Sequence, residues 1–163
     1  MIKDKCKKIK LLLTDVDGVL TNGKLYFSAD GEYMKAFNVK DGQICKYLID
    51  KGIKIGIITG RSSEIVSKRA NELNIEIIYQ GQKDKVHTLS LVRQKYKIEN
   101  EQIAYIGDDI NDLGVLALSG ISACPADAVD KVKKSVDYIC DSKGGKGAFR
   151  EFAEFILYST HNS

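Results

Sequence analysis

Ile9-Lys10-Leu11-Leu12-Leu13-Thr14-Asp15-Val16-Asp17-Gly18-Val19-Leu20-Thr21 runs from an apolar stretch directly into an acidic turn. The apolar part predicts a buried strand that ends where the chemistry begins. A carboxylate at the C-terminal end of a parallel strand points into the crevice where open α/β sheets bind ligands, and a second one two residues on can reach the same space. Asp15 and Asp17 therefore suggest a nucleophile and a proton carrier.

Further along, the chain alternates between two kinds of segment. Apolar strands are predicted over 11–14, 54–58, 76–79, 103–106 and 121–123, with a weaker one over 138–140. Helical spacing of three and four sets in from Asp41, through Ile44, Tyr47 and Leu48, and recurs over 63–73, 83–96, 109–118, 128–133 and 148–157. Strand and helix repeated this way imply a doubly wound, mostly parallel sheet of Rossmann type with helices on both faces. One interval differs: Lys24-Leu25-Tyr26-Phe27-Ser28 and Tyr33-Met34-Lys35-Ala36-Phe37 flank Asp30-Gly31, a β-hairpin pattern with a tight turn at that pair. With 163 residues and no linker or repeat, the chain reads as a single domain over 1–163.

Composition excludes several classes. A net charge of +3, from 25 basic and 22 acidic residues well mixed, gives no basic stripe for a nucleic-acid backbone. The early lysines, Lys3, Lys5, Lys7, Lys8 and Lys10, read as a solvated leader rather than a lipid or nucleic-acid contact. No stretch approaches the roughly 20 apolar residues of a membrane span, and no secretory signal is evident, so a cytoplasmic protein with no membrane partner is expected. Cys6, Cys45, Cys124 and Cys140 lack metal-site spacing and are expected to be free thiols.

Three further polar elements fall immediately after predicted strands. Thr59 opens Thr59-Gly60-Arg61-Ser62-Ser63, where a hydroxyl and backbone donors before a helix can hold a phosphoryl group. Lys85, at the start of another helix, can supply positive charge. Asp108 and Asp109 follow Tyr105-Ile106-Gly107, with Asn111 and Asp112 just behind. Each has an ordinary explanation as a cap, a turn or a solvated charge. Four strand ends delivering acid pair, hydroxyl, lysine and acid cluster in that order are harder to obtain from capping alone.

That order resembles the four motifs of the haloacid dehalogenase phosphatase superfamily over nearly the whole chain. The resemblance implies that Asp15 attacks phosphorus to form an aspartyl-phosphate, while Asp17 protonates the departing oxygen and then activates water. Thr59 and Lys85 would hold the transferred phosphoryl oxygens. It also implies Mg²⁺, held by an Asp15 carboxylate oxygen, the Asp17 backbone carbonyl and Asp108, with Asp109 and Asp112 supporting. The intervals between motifs leave no room for a cap domain, so an open site and assembly of several subunits through the apolar hairpin are expected.

Finer marks, Phe37-Asn38-Val39-Lys40-Asp41-Gly42, Arg61, Arg69 and Gly144-Gly145-Lys146-Gly147-Ala148-Phe149-Arg150-Glu151, resemble the capless branch that includes phosphatases of 3-deoxy-D-manno-octulosonate 8-phosphate. That branch implies homotetramers, a sugar acid made for lipopolysaccharide, and substrate contacts from Asp17, Asn38, Val39, Lys40, Asp41, Gly42, Lys46, Arg61, Arg69 and Lys85. Arg61 and Arg69, eight residues apart, are expected near one helical face as anion binders. The glycine-rich tail could reach a neighbouring subunit's site or merely end the preceding strand. A sister branch acts on nine-carbon keto-sugar acid 9-phosphates, where an acidic residue is expected in place of Arg61; Arg61 favours the octulosonate. Two non-enzymatic readings remain. A signalling receiver domain would need its aspartate after the third strand, where Gln80-Gly81-Gln82 stands, and a silent scaffold would not need the full motif set.

Overall fold

Leu11, Leu12 and Leu13 are all fully buried in β1 (Leu11–Thr14), yet they serve two separate cores. Leu12 packs in one layer with Ile55, Ile57, Ala104 and Ile106; Leu11 and Leu13 pack in the other with Ile58, Ile103 and Tyr105. Side chains alternate across a strand, so a strand covered on both faces needs a continuous apolar run. The structure, a computed structural model, describes residues 1–159; the last four positions of the expected 1–163 unit lie outside it.

β4 (Lys54–Ile58) and β6 (Ile103–Ile106) flank β1 in parallel, and the full order is β5-β4-β1-β6-β7-β8. The outer strands are β5 (Ile77–Tyr79), β7 (Ile121–Cys124) and β8 (Tyr138–Ile139), each parallel to its neighbour. The chain fills one side of β1 and then crosses to the other, which puts the topological switch point at β1 and gathers the loops after β1, β4 and β6 at one edge. Helices α1 (Ile2–Lys7), α2 (Val39–Asp50), α3 (Glu64–Glu72) and α7 (Ala148–Ser159) bury Cys6, Leu48, Val66 and Phe152 in the first core. On the opposite face α4 (Lys85–Tyr96), α5 (Leu113–Leu118) and α6 (Asp130–Lys133) bury Leu89, Leu116 and Val132 in the second. A two-stranded antiparallel hairpin, β2 (Tyr26–Ser28) and β3 (Gly31–Met34), is the one addition to this sheet among the described residues, and no cap domain covers the edge.

Three expectations need correction. The lysine-rich start is not a bare leader: its lysines stay exposed, but the segment is α1, anchored by buried Cys6 and by Lys5 Nζ at 2.7 Å from Asp137 Oδ1. The hairpin turn sits one residue earlier than Asp30-Gly31. Ala29 and Asp30 form it, while Gly31, at φ +110°, opens β3 opposite Ser28. The 109–118 helix is divided, because the Asp109 carboxylate accepts from Ile110 N–H at 2.7 Å and caps a short 3₁₀ turn, Ile110–Asp112, before α5. All four cysteines are buried and free, and burial pushes Cys45 up to about 12 and Cys124 up to about 11, as expected of core thiols.

Candidate active site

Asp15 leaves β1 with its N–H bonded to the Ile106 carbonyl at 3.1 Å, so the backbone ladder aims the next turn at the open edge. The residue is 6% exposed; its carboxylate Oδ1 accepts from Val16 N–H at 2.7 Å and Oδ2 lies 3.2 Å from Lys85 Nζ. Burial raises its pKa to about 6, with help from the Asp112 charge and opposition from Lys85. Val16 carbonyl accepts from the N–H groups of Val19, Leu20 and Thr21, which winds the chain into a tight turn. Gly18 adopts φ +87°, and a Cβ there would stand 1.9 Å from Asp108 Oδ2. Only glycine lets the first acidic loop pass so close to the third. The glycine-rich segment packs on the same turn: Gly145 N–H donates to Val19 carbonyl at 2.9 Å, and a Cβ on Gly144 would meet Gly18 carbonyl at 1.9 Å. That tail therefore braces the acidic loop of its own chain.

Lys85, the first residue of α4, turns its side chain inward beneath Asp15. Nζ lies 2.7 Å from Asp112 Oδ1 and 3.4 Å from Tyr105 Oη. Burial works against its charge, but Asp15 and Asp112 outweigh that and hold Lys85 above the ordinary lysine range. Asp112 is fully saturated: Oδ1 also accepts from Tyr105 Oη at 2.6 Å, and Oδ2 accepts from the N–H groups of Asp108 and Asp109 at 3.0 and 3.3 Å. Asp112 thus sets the Asp108 loop and Lys85 together.

Asp15, Asp17, Thr59, Gly60, Arg61, Asp108, Asp109 and Asn111 line one open recess of about 160 Å³ at the switch point. Larger hollows exist, including one of about 270 Å³ beside Ile53, Lys54 and Tyr96, but the paired acids are not among its lining. Carboxylate oxygens of Asp15, Asp108 and Asp112 come within 4.8 Å of one another. Burial first, then the charges of Asp15, Asp112 and Asp109, push Asp108 up to about 8. A cluster of hard oxygen donors whose mutual repulsion is this large fits a divalent cation, with Asp15 and Asp108 the available ligands because Asp112 is already committed.

Residues expected to contact substrate separate into groups. Arg61 precedes α3 and lies in the acidic recess, its guanidinium 5.6 Å from the Phe27 ring of the hairpin. Arg69 is not beside it. It stacks on Phe37 at 5.7 Å and, with Asn38, Asp41 and Gly42, lines a separate recess between α2 and α3. Asn38 caps α2 through Lys40 N–H at 2.8 Å, and Asp41, 3% exposed, accepts from Arg150 N–H at 2.8 Å and so clamps α7. Val39 and Lys40 are exposed at the start of α2, while Lys46 lines a further groove with Ile49, Glu72 and Asn74.

Two residues of the site were not anticipated. Tyr105 offered a signal, since a phenol inside Ile103-Ala104-Tyr105-Ile106 must find a buried partner. Lys35 offered less. It follows β3, its side chain is 1% exposed, and Nζ lies 2.5 Å from Asp17 Oδ1 and 3.0 Å from Glu32 Oε2.

Comparison with known proteins fits this arrangement. Residues 74–151 match the model of a haloacid dehalogenase-like hydrolase family. The 3-deoxy-D-manno-octulosonate 8-phosphate phosphatase KdsC of Haemophilus influenzae is 40% identical over 99% of this chain and 90% of its own length. The crystal structure of the Moraxella catarrhalis 3-deoxy-D-manno-octulosonate 8-phosphate phosphatase, in complex with a magnesium ion, a phosphate ion and KDO, is 42% identical. It superposes with a TM-score of 0.95 over 99% of this chain and 92% of that one. The cobalt-bound H. influenzae phosphatase YrbI is 41% identical, with a TM-score of 0.94 over 98% of this chain and 93% of that one.

Proposed function

The chain belongs to the haloacid dehalogenase-like hydrolases and is a phosphoric monoester hydrolase, and we propose that it releases phosphate from a phosphorylated sugar acid, 3-deoxy-D-manno-octulosonate 8-phosphate, through a phosphorylated Asp15. One observation carries this reading: Asp15, Asp17, Thr59 and Asp108, from three strand ends, share a single recess with Lys85 directly behind Asp15. Asp15 is the nucleophile. Lys85 holds its Oδ2 in place and offsets its charge, leaving the carboxylate aimed at an incoming phosphorus. Asp17 gives a proton to the leaving sugar oxygen as the P–O bond breaks, and takes one back from the water that then attacks the phosphorylated Asp15. Thr59 and Arg61 bind oxygens of the anionic substrate at the mouth of the recess.

The site also calls for Mg²⁺, as bound in the M. catarrhalis relative. Asp15, Asp108 and the Asp17 backbone carbonyl would hold it, and it would neutralise the charge between the phosphate and the acids. Asn38, Asp41, Gly42, Lys46 and Arg69 do not line the recess of their own subunit. Their part in recognising the sugar is therefore to shape α2 or to act from a neighbouring copy. A homotetramer suits this, with Leu25, Phe27, Tyr33 and Met34 exposed on the hairpin. The product would supply lipopolysaccharide synthesis in the cytoplasm.

A panel of eight- and nine-carbon sugar-acid phosphates, assayed for phosphate release with and without a chelator, tests the proposal. The octulosonate should turn over fastest and only with metal present. Faster turnover of a nine-carbon acid would overturn the substrate assignment.

A further inference from the structure

Asp17 is half-buried, and among the described residues no group other than Lys35 hydrogen-bonds its carboxylate. Lys35 comes from the hairpin rather than from the sheet. Its ammonium is sealed from solvent between Asp17 Oδ1 and Glu32 Oε2. Glu32 is fixed in turn, because its Oε1 accepts from Ser63 Oγ at 2.9 Å, and Ser63 N–H donates to Gln80 Oε1 at 2.8 Å. A continuous chain of polar contacts thus runs from the loop after β5, through the cap of α3 and the hairpin, to the Asp17 carboxylate at the recess. Burying a lysine for a hairpin clip alone is a poor source of stability, since desolvation offsets most of the attraction.

We propose that Lys35 is the positioning residue of Asp17: it pins Oδ1, and so leaves Oδ2 turned toward the oxygen that departs from phosphorus. This rests on the hydrolytic reading above. In the first step the Asp15–phosphorus bond forms, the bond to the leaving oxygen breaks, and the proton on Asp17 Oδ2 passes to that oxygen. Lys35 takes no part in this transfer and acts by fixing Asp17 Oδ1. A proton held about 1 Å out of line reaches the leaving oxygen poorly.

The consequence depends on the leaving group. A sugar alkoxide must be protonated as it leaves; a nitrophenolate need not be. Because kcat/KM covers steps only up to the first irreversible one, it isolates transfer to Asp15 from the later attack of water. With Mg²⁺ present, Lys35→Met should lower kcat/KM by about 100-fold for an alkyl sugar phosphate but by less than about fivefold for nitrophenyl phosphate. Lys35→Arg, which keeps a cationic donor, should recover part of the alkyl activity. Glu32→Gln leaves Lys35 in place but loosens it, and should show the same selective loss at about 10-fold, providing the decision if Lys35→Met fails to fold. Equal losses on both esters, in either variant, would make the lysine a structural clip and overturn the inference. A wild-type protein inactive toward both esters would sink the hydrolytic reading itself.

Discussion

Lys85 Nζ stands 2.7 Å from Asp112 Oδ1, with both side chains withdrawn from solvent. Neither residue can lose the other cheaply, because each would leave a buried charge without its partner. Asp112→Ala also strands the N–H groups of Asp108 and Asp109. The variant should lose about 3–5 kcal/mol of stability in denaturant unfolding and most of its activity. Tyr105→Phe removes the hydroxyl that donates to Asp112 at 2.6 Å and accepts from Lys85 Nζ at 3.4 Å, and should lose about 1–2 kcal/mol with a smaller drop in kcat.

Gly18 should tolerate nothing larger. Its φ of +87° and the 1.9 Å approach of Asp108 Oδ2 to the position of a Cβ mean that Gly18→Ala forces the two acidic loops apart. Displacement of about 1 Å in such a site can lower kcat/KM by about 100-fold, and steady-state assays at saturating metal would show it. Wild-type activity in that variant would mean the loops can separate without consequence.

The acidic recess was legible in the sequence because its parts lie at strand ends. Asp15, Thr59 and Asp108 each follow a β-branched or leucine-rich run, and a parallel sheet with its switch point at β1 must bring those ends to one edge. What could not be read were contacts between elements distant in sequence. Arg61 and Arg69 fit one helical face by number alone, but α3 starts at Glu64, after Arg61 has already turned toward the hairpin. Asp41 stands in a polar run that suggests a ligand, yet its carboxylate caps a helix more than a hundred residues later. Lys35 is invisible for the same reason. Hairpin alternation does not say which side chain will meet Asp17.

Asp41 gives a pH signature. Burial, against the pull of Arg150 and Arg69, raises its carboxyl from 3.8 to about 6, so the folded protein holds this proton more tightly than the unfolded chain does. Its contribution therefore weakens as pH rises from about 4 to about 6 and stays lost above that. Asp41→Asn keeps an acceptor for Arg150 N–H without the charge. Relative to wild type it should gain on the order of 2–3 kcal/mol between pH 4 and pH 7 in urea unfolding, and parallel profiles would refute the assignment.

Metal should stabilise as well as activate. Asp15, Asp108 and Asp112 crowd oxygens within 4.8 Å of one another, so a cation bound to the folded state alone relieves their repulsion. Mg²⁺ at a hundredfold excess over its Kd should raise Tm on the order of 5 °C, and a chelator should reverse the shift. Asp108→Asn should remove most of the response while raising the metal-free Tm, since it takes one charge out of the cluster.

The central claim is that Asp15 itself takes the phosphoryl group, and turnover by Asp15→Asn tests it most directly. Asparagine keeps the size of the side chain and an oxygen to accept from Val16 N–H, so circular dichroism and Tm should confirm an intact fold. With Mg²⁺ saturating, kcat on the sugar-acid phosphate should fall by on the order of 10⁴-fold or more. A folded, metal-loaded Asp15→Asn protein that still releases phosphate at a tenth of the wild-type rate would contradict the account.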